Sequence, residues 1–215
     1  FYNRAIQRSD VLAGCSYGDH FDSILSWFAA EYSLPQIHSR SLEPFYVASA
    51  DNGSVPWTHH LVDKKVLIIH PFVQSFAKQL EADFQIFKDK KLFLDGQEFL
   101  FYKTYQTIAG NHIHRNWFET FTAMCNDIRE LDFDVALLGC GGYGLPLCDF
   151  IKTNLNKSAV YVGGGLQMVF GVMGKRWENR EDWKKIIKEN GSKFIRPSSD
   201  EVCCDSNKIE GGCYW

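Results

Sequence analysis

The chain has 215 residues, 45% of them hydrophobic, 15% aromatic and 23% charged, with a formal net charge of −3. These are ordinary globular values that allow a sizeable core, and the slightly acidic balance argues against a general nucleic-acid binder. No apolar run approaches the roughly 20 residues of a membrane-spanning helix, and seven scattered cysteines with no CxxC pair favour a reduced, cytoplasmic setting.

Residues 1–10 are polar and predicted helical, and residues 11–15 form a short predicted strand. That strand ends in Ser16-Tyr-Gly-Asp-His-Phe-Asp22, after which Phe21, Ile24, Leu25 and Phe28 recur at helical spacing until Pro35 stops the run. The first unit is therefore strand, glycine turn with two acids, then helix. Asp19 and Asp22 stand at the helix start, where a carboxylate is favoured by the amino end and where a catalytic acid would also sit.

Residues 45–50 are predicted as a second strand and residues 51–56 as a loop. The segment Lys64-Lys-Val-Leu-Ile-Ile-His-Pro-Phe72 carries the clearest β signal of the first half. Four consecutive aliphatics suit a strand buried on both faces of a parallel sheet. His70 ends that strand, Pro71 imposes an extended exit, and a helix is predicted over residues 74–87. Open α/β sheets collect ligands at strand carboxyl ends, so His70 is a candidate, as it is for a structural hydrogen bond.

Residues 88–98 are charged and turn-like, and residues 98–106 extended. His112 and His114 lie in a polar loop; on a strand they would share a face, but no third metal ligand is near. An amphipathic helix over 117–130 leads into Phe133-Asp-Val-Ala-Leu-Leu-Gly-Cys-Gly-Gly-Tyr-Gly-Leu-Pro-Leu147. Here a buried strand over 135–138 empties into Gly139-x-Gly141-x-x-Gly144, and a helix over 145–155 follows at once. Glycines permit a tight turn and close approach of the backbone to a phosphate, while free N–H groups at the helix start attract negative charge.

A further strand is predicted over 158–165, then a helix that breaks at Gly171 and Gly174, with Lys175 and Arg176 beside Trp177. A charged helix over 181–190 ends at Gly191. The tail closes in Glu210-Gly-Gly-Cys-Tyr-Trp215, whose two large rings are expected to be buried. Cys203, Cys204 and Cys213 include an adjacent pair, a poor spacing for zinc.

The alternation of strands and helices predicts an α/β, Rossmann-like fold, with a mostly parallel sheet covered by helices on both faces. Its ligand is expected near Asp19, His70 and the two glycine turns, 139–144 and 163–165. Nicotinamide and flavin enzymes want an acid about 20 positions beyond such a turn, and here that strand ends in Val162-Gly-Gly-Gly165. S-adenosylmethionine methyltransferases generally want the same acid and usually begin their fold with this unit. A nucleotide-sugar enzyme makes neither demand. It needs N–H groups and cations on a diphosphate, with a carboxylate or histidine beside the sugar. Lys175 and Arg176 fit, because fixed cations stabilise the charge gathering on a leaving nucleoside diphosphate; a solvated basic turn is the alternative.

The run Asp134-Val-Ala-Leu-Leu-Gly-Cys-Gly-Gly-Tyr-Gly-Leu-Pro-Leu147, with Val162-Gly-Gly-Gly-Leu-Gln167, Phe170-Gly-x-x-Gly-Lys-Arg-Trp177 and the closing Glu210-Gly-Gly-Cys-Tyr-Trp215, resembles a family of bacterial and large-virus glycosyltransferase domains. The family includes rhamnosyltransferase domains of multidomain chlorovirus enzymes that build capsid-protein glycans. The match is dense over 117–215 and extends more thinly to His70-Pro71-Phe72. It implies transfer of a deoxysugar, L-rhamnose from a UDP-linked donor, to a hydroxyl of an oligosaccharide acceptor in the cytoplasm. The absent initiator methionine agrees with a single domain, residues 1–215, cut from a chain with neighbouring domains.

The motif order also resembles the GT-D type of glycosyltransferase, where a Gly-Asp-x-Glu element supplies acids to the donor site. Tyr17-Gly-Asp-His-Phe-Asp22 keeps the first acid, Asp19, but puts Phe21 in the place of the second, so no metal ligand set is assigned. On this reading Gly139, Gly141, Gly142, Tyr143, Gly144, Gly164, Gln167, Lys175 and Arg176 would hold the UDP-sugar donor. Asp19, with Asp22 or His70 as substitutes, would deprotonate the acceptor if the anomeric centre inverts. A methyltransferase acting on a glycan and a non-catalytic glycan-binding module are the alternatives.

Overall fold

The computed structural model describes residues 1–14, 19–50 and 53–215, with the backbone alone for 19–22. In chain order the elements are α1 (Tyr2–Gln7), β1 (Leu12–Gly14), α2 (Asp19–Glu31), β2 (Gln36–His38), α3 (Pro44–Ser49), β3 (Lys65–His70), α4 (Val73–Glu81), β4 (Glu98–Lys103), α5 (Trp117–Arg129), β5 (Val135–Leu138), α6 (Gly144–Leu155), β6 (Ser158–Tyr161), α7 (Gly165–Val169), α8 (Lys175–Glu178) and α9 (Glu181–Asn190).

Strands β3 to β6 form a wholly parallel sheet in the spatial order β4-β3-β5-β6, and β1 pairs with β2 in a separate parallel pair. Val66, Leu67, Ile68 and Ile69 of β3 are completely buried, as a central strand covered on both faces requires. Alternation along the strand divides them between two layers. Val66 and Ile68 pack with Phe76 of α4, Leu166 and Met168 of α7 and Trp183 of α9. Leu67 and Ile69 pack with Met124 and Ile128 of α5 and with Leu147 and Ile151 of α6. Burying each such aliphatic side chain contributes about 1.5–3 kcal/mol. The fold is α/β and Rossmann-like.

The strand order has one consequence for function. From β3 the chain steps outward to β4, then returns across β3 to β5 and continues to β6. The direction reverses between β3 and β5, and a parallel sheet opens a crevice at such a switch point, beyond the carboxyl ends of the strands. His70 and Gly139 stand there.

The remainder is organised around that edge. Helix α1 lies on α6, held by Arg4 Nε at 3.0 Å and Arg8 Nη1 at 3.4 Å from the buried carboxylate of Asp149. Ile6, Leu12 and Ala29 form a small cluster with Leu145, which brings β1 and α2 beside the start of α6. Helix α5 starts at Asn116, whose side chain accepts from the Glu119 N–H at 3.0 Å. Helix α9 ends at Gly191 in the left-handed region, φ 68°.

Residues 45–50 are not a strand but the body of α3. Pro44 stands at the first helical position, where its fixed φ is favourable. Phe45 and Ala48, three apart, are buried, and the Phe45 ring meets Trp183 edge-on at 5.0 Å. The helix expected over 74–87 ends at Glu81, and Asp83 follows at φ 50°. Tyr214 and Trp215 are partly buried against the core, and Trp215 Nε1 donates to the carbonyl of Glu201 at 3.3 Å. Among the described residues no helix is long and apolar enough to cross a membrane.

Candidate functional site

Three helices begin at the carboxyl edge of the sheet, and each start leaves backbone N–H groups to be satisfied. At α4 the chain supplies its own anion. Glu201 is completely buried and accepts from the N–H of Gln74 at 2.8 Å, the N–H of Ser75 at 3.3 Å and the Ser75 hydroxyl. A carboxylate there also complements the helix dipole. A ligand anion would have to displace it.

The start of α6 is different. A tight turn over 141–143 pairs the Tyr143 N–H with the carbonyl of Cys140 and the Gly144 N–H with that of Gly141. The N–H groups of Gly141 and Gly142 donate to nothing among the described residues. The carbonyls of the same two glycines are tied back to the protein. Tyr161 donates its hydroxyl to Gly141 O at 3.1 Å, and Tyr2 donates to Gly142 O. Burial pushes the phenol pKa of both tyrosines up, which keeps them neutral donors. The turn therefore leaves two donors unused among the described residues while its acceptors are occupied, the polarity an anion needs.

The glycines divide the work. A Cβ on Gly139 would stand 2.7 Å from the carbonyl of Gly163 and against the ring of His70. A Cβ on Gly144 would fall on the ring of Tyr161. Gly141, at φ 56°, has nothing within 4 Å of where its Cβ would be. The outer two glycines thus permit close packing of strand and helix, while the middle one faces open space, as in a phosphate-cradling turn. Tyr143 is a core residue despite its place in the motif. Its ring stacks on Trp117 at 5.0 Å, and its hydroxyl lies 2.7 Å from Thr107 Oγ1.

His70 is 3% exposed, between the rings of Phe72 and Phe76 at 4.9 and 4.6 Å. Its Nδ1 accepts the N–H of Phe72 at 3.0 Å, and burial pulls its pKa down to about 3. It is therefore neutral with the proton on Nε2, a donor rather than a base at physiological pH. The backbone of Asp19 and Asp22 opens α2, and their side chains lie outside the described residues. Cys15, Tyr17 and Gly18 lie outside them too.

Lys175 and Arg176 open α8 and are bound to the chain's end. Arg176 pairs with Glu210 and lies over the Tyr214 ring at 4.6 Å, and Lys175 Nζ is 3.4 Å from the carbonyl of Gly211. A Cβ on Gly164 would meet the edge of Tyr214 at 3.0 Å, so this ring stands between Arg176 and the turn after β6. Gln167 is completely buried, and its Nε2 donates to Val172 O and Tyr214 O, both at 3.1 Å. It fastens the tail to α7, with its Oε1 left without a partner among the described residues.

Three residues of this edge escape sequence reasoning. Glu201 closes a Ser198-x-x-Glu201 capping box, a readable signal, but nothing local says that the same carboxylate reaches α4. Tyr2 gives no signal at all. Glu43 stands just before the segment 45–50 that is expected as a strand, and instead opens α3 with its carboxylate against Gly165.

The six described cysteines are free, and burial pushes the Cys140 thiol up and the Cys148 thiol to about 12, leaving both protonated. Among the described residues no group of three histidine, cysteine or acidic side chains could hold a metal ion. Comparison with family models, curated proteins and solved structures found no match to this chain.

Proposed function

We propose that the chain is a glycosyltransferase that moves a deoxysugar, L-rhamnose from a UDP-linked donor, to a hydroxyl of an oligosaccharide acceptor in the cytoplasm. One observation carries the donor half of this reading. At the switch point between β3 and β5, the start of α6 offers the N–H groups of Gly141 and Gly142, which have no acceptor among the described residues, whereas the start of α4 beside it is filled by Glu201. The sugar half rests on the motif resemblance.

In this reaction the acceptor oxygen bonds C1 of the donor sugar while the bond from C1 to the diphosphate breaks, and the electron pair leaves on the phosphate. N–H groups fixed before the reaction stabilise that growing charge more than they stabilise the bound donor. Nε2–H of His70, at the end of the adjacent strand, is a neutral donor on the same edge. Arg176 would have to leave Glu210 to meet a phosphate. A carboxylate takes the acceptor proton, and Asp19 is the one the sequence nominates.

Calorimetry or thermal stabilisation with UDP, GDP and S-adenosylhomocysteine tests the proposal. UDP is expected to bind and stabilise, and no binding of either nucleotide at millimolar concentration rejects it. Stabilisation by S-adenosylhomocysteine alone would point to a methyltransferase instead. Glycan binding without nucleotide binding would point to a carbohydrate-binding module.

A further inference from the structure

Glu43 occupies the capping position of α3, immediately before Pro44. An acid there ordinarily turns back to accept an N–H of its own helix. Glu43 makes no such bond. Its side chain instead crosses to the turn after β6, where a Cβ on Gly165 would stand 2.9 Å from Glu43 Cγ and closer still to Oε1. Glycine at position 165 thus admits this carboxylate in its present position, and no left-handed backbone is involved: Gly165 is absent from the positive-φ residues.

The carboxylate is half-buried and accepts no hydrogen bond from the described residues. The charged and titratable groups facing it are Arg40, Arg180 and the phenol of Tyr46. Neither guanidinium pairs with it. Arg180 is held by Asp182 and donates to the Tyr46 hydroxyl at 2.9 Å, and Arg40 lies over the Tyr46 ring at 4.5 Å. Burial therefore outweighs both cations and raises the Glu43 pKa above the usual carboxylate range. A partly desolvated carboxylate without a partner is a stability penalty, and such groups concentrate where a ligand uses them. The place is right. The turn that Glu43 abuts begins at Gly163, whose carbonyl packs on Gly139 of the open glycine turn.

We propose that Glu43 is the general base of the transfer: its carboxylate takes the proton of the acceptor hydroxyl as that oxygen bonds C1 of the donor sugar and the nucleoside diphosphate departs with the electron pair. This rests on the glycosyltransferase reading and gives Glu43 the role otherwise open to Asp19.

The test compares wild type, Glu43→Gln, Glu43→Asp and Asp19→Asn for UDP binding, melting temperature and UDP release from UDP-L-rhamnose with a panel of sugar glycosides. For Glu43→Gln, kcat is expected to fall at least about 100-fold, with UDP affinity kept within about twofold and a melting temperature equal to or above wild type, since an uncompensated charge is gone. Wild-type kcat/KM should decline below a pH higher than an ordinary carboxylate would set, because the base must be ionised. Glu43→Asp keeps that acidic limb at a shifted position and serves if the amide variant does not fold. An active wild type with Glu43→Gln within threefold of its kcat overturns the inference alone, and a loss confined to Asp19→Asn transfers the role there. A wild type that neither binds UDP nor releases it overturns the glycosyltransferase reading, and this inference with it.

Discussion

The turns after β3 and β5 stand side by side at the switch point and meet the same demand in opposite ways. Each ends a buried aliphatic strand and opens a helix with N–H groups to satisfy. After β3 the protein answers from its own atoms: His70 accepts from Phe72, and Glu201 accepts from Gln74 and Ser75. After β5 no such answer comes from the described residues. Glycines remove the side chains, the carbonyls are tied away, and two N–H groups have no acceptor among the described residues. A helix start is thus a ligand site only where the fold leaves it unfilled, and distant residues decide that as much as the local motif does.

The strongest way to break this contrast is Glu201→Ala. Leaving the N–H and hydroxyl of buried Ser75 unpaired, together with the N–H of the more exposed Gln74, is expected to lower stability by about 2 kcal/mol, measured by urea denaturation, with UDP affinity of the folded protein unchanged. If UDP affinity rose instead, the emptied α4 start would itself be binding an anion. The next effect comes from acid. The His70 pKa is depressed to about 3 when folded, below its usual value near 6.5, so the neutral form is what the fold holds. Its contribution is complete above pH 6.5 and is lost as pH falls from there towards 3. At pH 5 the loss is about 2 kcal/mol, and Glu201→Ala should leave it in place. Replacing His70 by Gln should remove this part of the pH dependence, which denaturation at pH 7 and pH 5 would show.

The open turn was legible in the sequence because its signals are local. A four-residue aliphatic strand, three spaced glycines and a helix follow one another within about twenty positions, and the structure places them at residues 135–155 as expected. The filled turn was half legible. The strand ending in His70 was plain, but the anion that closes the helix start comes from Glu201, 127 positions beyond Gln74, and no periodicity encodes such a contact. The same reason hides Glu43. Phe-Tyr-Val in residues 45–47 carries strand propensity, whereas Pro44 and burial against Trp183 favour the helix. Once α3 is a helix, its leading carboxylate is delivered to Gly165, a pairing set by packing and not by spacing.

Within the glycine turn itself the contrast can be sharpened by two single methyl groups. Gly144→Ala would drive a Cβ into the Tyr161 ring, which also holds the carbonyl of Gly141, and overpacking of this kind is expected to lower stability by about 2 kcal/mol. Gly141→Ala meets open space and carries only the left-handed backbone penalty, about 1 kcal/mol, at φ 56°. Nucleotide affinity should follow the reverse order. On the proposed reading, the methyl of Gly141→Ala would enter the space through which a diphosphate approaches the N–H groups of Gly141 and Gly142, whereas that of Gly144→Ala points into the protein. Calorimetric titration with UDP beside thermal melts of both variants checks this crossing. Parallel losses in the two quantities would mean that the turn only packs helix against strand, and the functional distinction between the β3 and β5 turns would disappear.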